Sequence, residues 1–214
     1  MRVSGLSTVP RHGPVLFAGN HLSFIDNVVI PVAVPRRVRF LAKNEYFTGR
    51  GLLGAWYRFF FGAVGAVPLP RGAHADANAA LQIARDLLVQ GEAFGIYPEG
   101  TRSRDGQLYR GRTGVAWLAL QTGAPIVPVG LIGTDRVQPV GARALRPHRI
   151  TVRFGEPVHP GEVSGVGSPG QQRRQLTDTV MQRIQLLTGQ PPAGRYNTLP
   201  PPDRAAQNAG DRNS

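Results

Sequence analysis

Cysteine is absent from this 214-residue chain. That rules out a disulfide framework, a thiolate nucleophile and any cysteine-based metal site, and it makes a reducing compartment a compatible home. Lysine is nearly absent as well: Lys43 stands alone, so 24 of the 25 basic side chains are arginines. Acidic residues are scarce, 13 against 25 basic, and the resulting net charge of +12 predicts an anionic partner such as phosphate, acidic headgroups or nucleic acid. No run of about 18 uninterrupted apolar residues occurs, which argues against a membrane-crossing helix. The opening stretch MRVSGLSTVPRHGPV lacks the apolar core of a signal peptide. A cytoplasmic chain is expected.

What is present suffices for one sizeable domain, with hydrophobic residues at 41%. GPVLFAGN is a short apolar run opened by Gly13-Pro14 and reads as a buried strand. RRVRFLAK alternates basic and apolar residues, as a half-buried strand does. A helix from near Asn44 and the strand GAVPLPRG follow, then a helix over HADANAALQIARDLLVQG that stops at Gly91. EAFGIY is a strand running into a Pro/Gly-rich loop, GVAWLALQTG a helix, and APIVPVGLIG and HRITVRFGEPV two further strands. This alternation predicts a single α/β domain over residues 1–160, with a mixed or largely parallel sheet flanked by helices. A flexible connection and a C-terminal amphipathic helix are expected over 161–188. The proline-rich, polar remainder, 189–214, is expected to be disordered.

The stretch AGNHLSFIDN places His21 and Asp26 five positions apart, an interval at which two mid-helix side chains point about 140° apart. They can meet only if His21 lies in the turn before a helix and folds back over its first turn. Ser23 suits an N-cap there, and Asp26 falls where a capping-box acid belongs. Pro31 and Pro35 keep the following helix short or bent. A capping box beside a surface histidine is the plainer account of this segment taken alone. His148 and His159 have no acidic partner at dyad or metal spacing and read as surface residues; no metal site is expected.

Four segments end a strand or open a helix, where α/β proteins gather ligand groups: NHLSFID, GAVPLPR, YPEGTRSR and IVPV. Together and in this order they resemble the glycerolipid acyltransferase family, which includes 1-acylglycerol-3-phosphate acyltransferase. Asn20, His21 and Asp26 match its first motif, Gly65 to Arg71 its second, Tyr97 to Ser103 its third, and Val127-Pro128 its fourth. Tyr97 stands where phenylalanine is usual, and Lys43 falls where the family commonly has lysine. The resemblance covers roughly residues 3–160. It implies acyl transfer from acyl-CoA or acyl carrier protein, as cosubstrate with no cofactor, to a lysophospholipid hydroxyl in phospholipid biosynthesis. It also implies a phosphate-binding role for the Glu-Gly-Thr-Arg loop.

Elementary chemistry agrees with that implication. An alcohol is a poor nucleophile until a base removes its proton, and imidazole titrates near neutrality. A carboxylate on the other ring nitrogen fixes the tautomer and stabilises the imidazolium, as in a serine hydrolase, with the substrate's hydroxyl in place of serine. No Gly-x-Ser-x-Gly elbow exists to support an acyl-enzyme. Backbone amides near the third or fourth motif are the expected oxyanion donors. Gly100 lets backbone approach an anion, and Thr101 and Arg102 supply donors; Glu99 would repel phosphate, so it is assigned to orienting Arg102 or the acceptor hydroxyl. Lys43 and Arg71 add charge to the same pocket.

Lysolipid acceptors reside in bilayers. In RGLLGAWYRFFFGAVG, Leu52, Trp56, Phe59, Phe60 and Ala63 share a helical face, as expected of a helix lying in a membrane interface; a buried core helix has the same pattern. Residues 1–60 carry eight basic side chains against Asp26 and Glu45, which suits an anionic leaflet. The expectation is peripheral attachment at the inner face of the cell membrane, without the apolar N-terminal helix that many family members carry. Two alternatives stand beside it: an acyltransferase for a lyso-aminolipid or glycan, and a non-catalytic basic protein binding anionic lipid. Nucleic acid is not expected, because aromatics are not interleaved with the basic residues and no helix-turn-helix or RNA-recognition signature occurs.

Overall fold

A computed structural model of the chain describes residues 1–43, 62, 65–69, 77–139, 142, 144–163 and 167–198. Chain order is β1 (Arg2–Ser4), β2 (Val15–Gly19), α1 (Asp26–Ala33), β3 (Val38–Lys43), β4 (Ala66–Leu69), α2 (Ala77–Val89), β5 (Ala93–Ile96), α3 (Gly114–Thr122), β6 (Ile126–Ile132), α4 (Thr134–Val137), β7 (Thr151–Phe154) and α5 (Pro169–Thr188). The strands form one seven-stranded sheet in the order β1-β7-β6-β2-β5-β3-β4. Every neighbouring pair is parallel except β6 and β7, which run antiparallel. The expected mixed α/β sheet is therefore present. β1 has no counterpart among the expected strands; three residues at a sheet edge carry too little periodicity to read.

The centre of the sheet is covered on both faces. All five residues of β2 are buried, as they must be in a parallel sheet sandwiched by helices. Leu16 and Ala18 face α2, α3 and α5, while Val15 and Phe17 face α1. α5 is an integral part of this domain: Leu176, Val180 and Ile184 are fully buried against the sheet and α3. Burying each such side chain stabilises the fold by about 1.5–3 kcal/mol. The helix opens with a capping box between Ser168 and Gln171 and with Pro169 in the first turn.

Two expectations need correction. Ser23 does not cap α1; the cap residue is Ile25, with no side-chain cap bond, and the helix begins at Asp26. Only half of the expected box forms, because the Asp26 carboxylate accepts from Ser23 N–H while Ser23 Oγ accepts from Ile25 N–H at 3.4 Å. The tail is the other correction. Residues 189–198, expected to be disordered, run back along the loop after β5, with Leu108 bridged to Pro192 and Asn197 only 1% exposed. Hydrogen bonds rather than apolar contacts hold them, so composition carried no sign of order. The interfacial helix expected within 50–65 lies almost wholly outside the described residues, as do Arg71 and residues 199–214. No helix among the described residues is long and apolar enough to cross a membrane.

Candidate active site

β2 ends at Gly19 in the middle of the sheet, and the next two residues hang from its carboxyl end. Asn20 is fully buried and ties this end to β6: its side chain accepts from Leu131 N–H at 2.8 Å and donates to Leu131 O at 2.9 Å. His21 follows in the turn. Its Nδ1 lies 2.9 Å from Asp26 Oδ2, and the same oxygen accepts from Leu22 N–H and Ser23 N–H, both at 2.8 Å. The five-residue interval thus closes a tight loop around one carboxylate oxygen. Asp26 is fully buried and the His21 side chain 14% exposed, so the pair is shielded yet reachable. A carboxylate can only accept, so in a neutral imidazole Nδ1 carries the ring proton and Nε2 is left with its lone pair.

The imidazole lies flat on Tyr97, with ring centroids 4.0 Å apart and planes 8° apart. Phe40 stacks on Tyr97 in turn, at 5.8 Å. This pile of rings rests on Gly95, where a Cβ would come within 1.9 Å of the Phe40 ring, so the strand must be bare at that point.

The Tyr97–Ser103 loop is bound to the His21 turn through backbone. Glu99 Oε1 accepts from His21 N–H and Glu99 Oε2 from Tyr109 N–H, each at 2.9 Å, while Ser103 N–H donates to His21 O at 2.7 Å. Both Glu99 oxygens therefore hold backbone amides. Burial pushes the Glu99 carboxyl up to about 7, against the pull of those two amide bonds. Gly100 takes φ of +80°, outside the ordinary range of other residues, and the Arg112 side chain lies across it, with Nε 2.9 Å from where a Cβ would stand. Thr101 and Arg102 follow directly, half-buried. Lys43 closes β3 opposite Leu69 of β4, two residues before Arg71; the Lys43 side chain and Arg71 lie outside the described part.

A cavity of about 400 Å³ opens beside Tyr97, lined by residues of β3 and β5 and of the helices α2 and α3. Leu41, Leu81, Ala84, Phe94 and Ile96 line it, with Asn27 and Arg112 among its polar groups. Sequence reasoning missed Arg112, Phe40 and the stacking role of Tyr97. The glycine inside β5 was the readable sign of a close approach there.

The described residues thus place a His–Asp pair at the carboxyl end of a central strand of a mixed sheet, beside an arginine-bearing loop and an apolar cavity. A family profile described as Acyltransferase matches residues 1–132, and the chain belongs to that family. It is 26% identical to a 1-acyl-sn-glycerol-3-phosphate acyltransferase of Bacillus subtilis over 190 residues, 87% of each chain. It is 29% identical to a chloroplastic 1-acyl-sn-glycerol-3-phosphate acyltransferase of Arabidopsis thaliana over 161 residues, 74% of this chain and 44% of that one. Against the Chlamydomonas reinhardtii relative it again spans less than half the length, 45%, at 30% identity. The crystal structure of the 1-acyl-sn-glycerophosphate (LPA) acyltransferase PlsC of Thermotoga maritima superposes with a TM-score of 0.67 at 28% identity, covering 87% of this chain and 71% of that one.

Proposed function

We propose that this chain transfers a fatty acyl group from a thioester carrier, acyl-CoA or acyl carrier protein, to the free hydroxyl of 1-acylglycerol-3-phosphate. The supporting observation is the Asp26-held imidazole of His21, stacked on the same Tyr97 ring that lines the apolar cavity. The names of its relatives point the same way. In this reading His21 Nε2 takes the proton from the acceptor hydroxyl as its oxygen bonds to the thioester carbonyl carbon. Asp26 stabilises the imidazolium. The tetrahedral intermediate then collapses, the carbon–sulfur bond breaks, and the leaving thiolate takes the proton from His21. The cavity accepts an acyl chain. Gly100, Thr101 and Arg102, with Arg112 beside them and with Lys43 and Arg71, hold the acceptor phosphate; Glu99 braces that loop. The strong positive charge and the aromatic stretch at 50–65 suit peripheral contact with the anionic inner face of the cell membrane.

The test is a panel of lysolipid acceptors with labelled acyl-CoA and acyl carrier protein, run on wild type and His21→Ala. Transfer to 1-acylglycerol-3-phosphate by wild type, with no turnover by the folded variant, is expected. Near-normal turnover by His21→Ala would rule the mechanism out, and a preference for a lyso-aminolipid or glycan would reassign the acceptor.

A further inference from the structure

Residues 189–198 add almost nothing apolar to the core, yet they reach the reaction centre. Gly189 ends α5 at φ of 72°, turning the chain back, and Pro191 and Pro192 hold the residues before them extended. This stiff strap runs beside Leu108, whose N–H donates to Pro191 O and whose carbonyl accepts from Ala193 N–H, both at 2.9 Å. From it, two side chains point into the site. Gln190 Oε1 accepts from Asn20 Nδ2 at 2.8 Å, and Gln190 Nε2 donates to Gly106 O at 2.8 Å. Asn197 Nδ2 donates to the carbonyl of Arg102 at 3.1 Å.

We infer that Gln190 is a positioning residue for the His21 base, acting through Asn20. Asn20 is 0% exposed, so protein groups alone serve its amide. One hydrogen of its Nδ2 goes to Leu131 O and the other to Gln190, while Oδ1 accepts from Leu131 N–H. Remove the Gln190 acceptor and a buried N–H is stranded one peptide away from His21; the amide must turn to find a partner, loosening its tie to β6. A shift of that kind misaligns Nε2 with the hydroxyl it serves, and displacements of about 1 Å cost rate steeply. The strap lies beyond residues 1–132, which carry the family match, so the residues of that match complete their own histidine turn only with help from this C-terminal segment.

The inference rests on the acyl-transfer reading, and two readouts separate them. In the full chain, Gln190→Met keeps length and removes both polar atoms, whereas Gln190→Glu keeps an acceptor for Asn20. Expected for Gln190→Met are a ten- to thirtyfold fall in kcat, a thioester KM within twofold, and at least tenfold faster amide exchange at His21 and Leu131. The melting temperature should fall by only a few degrees, the cost of the stranded N–H, while the exchange of α5 amides stays at wild-type values. Gln190→Glu should recover kcat to within about threefold. An unchanged kcat in Gln190→Met, or unchanged exchange at His21 and Leu131, overturns the inference. Should wild type acylate no acceptor at all, the functional reading fails, and the exchange measurement still decides whether the strap holds the histidine turn.

Discussion

Replacing Asp26 by asparagine preserves the shape of a fully buried side chain and removes its charge. Three donors converge on Oδ2, whereas Oδ1 has no partner among the described residues. An asparagine can put its oxygen at the shared position and its NH2 at the unpartnered one, so the turn survives with neutral bonds. The loss falls on the transition state, when the imidazole becomes positive. Unit charges separated by the observed 2.9 Å attract by roughly 6 kcal/mol at an effective dielectric of about 20. A neutral amide oxygen retains about 1–2 kcal/mol of that as an ordinary hydrogen bond. The difference, about 4 kcal/mol, corresponds to roughly a thousandfold in kcat. Release of the carrier thiol can be followed with a thiol reagent, because the protein has no cysteine of its own to react. KM for the acceptor should stay within a few-fold. An Asp26→Asn enzyme that melts like wild type and keeps kcat within tenfold would refute the reasoning: the carboxylate would then merely shape the turn.

Glu99 predicts a pH-dependent stability. Its folded-state pKa of about 7 exceeds the ordinary value of 4.5, so the native state holds a proton that the unfolded chain has released. The contribution is complete below pH about 4.5 and is lost as pH rises through 7, about 3 kcal/mol in all. Denaturant titrations from pH 4.5 to 8 should show that decline in wild type and a flatter profile in Glu99→Gln; parallel profiles would sink the assignment. Arg102→Ala should raise KM for 1-acylglycerol-3-phosphate roughly 10- to 100-fold, the worth of a charge-assisted bond to phosphate, with kcat little altered. An unchanged KM for that acceptor would remove Arg102 from the phosphate site.

The sheet was legible because its central strands are continuous apolar runs punctuated by glycine and proline. The His21–Asp26 contact was legible as well, since only a turn followed by a helix start reconciles a five-residue interval with contact. The start of α1 was misread by two residues: Ser23 has the chemistry of a cap, but the Asp26 carboxylate gathers amides before the helix begins. Arg112 gave no signal, because its place across Gly100 depends on a non-local approach of two loop segments. The strap at 189–198 was invisible to hydrophobic patterning, since Gln190 and Asn197 are held by amide bonds and the prolines between supply stiffness rather than burial. That distinction between low hydrophobicity and disorder is one composition cannot draw.

The peptide of residue 21 is gripped on both sides, its N–H by Glu99 and its carbonyl by Ser103. The histidine turn and the arginine-bearing loop are therefore tied together through backbone groups, and on the proposed reading the span from proton acceptor to phosphate holder is a caliper set by the backbone. On the proposed acyl-transfer reading, an acceptor whose alcohol and phosphate stand one carbon further apart would not fit that gauge, even though it carries the same chemical groups.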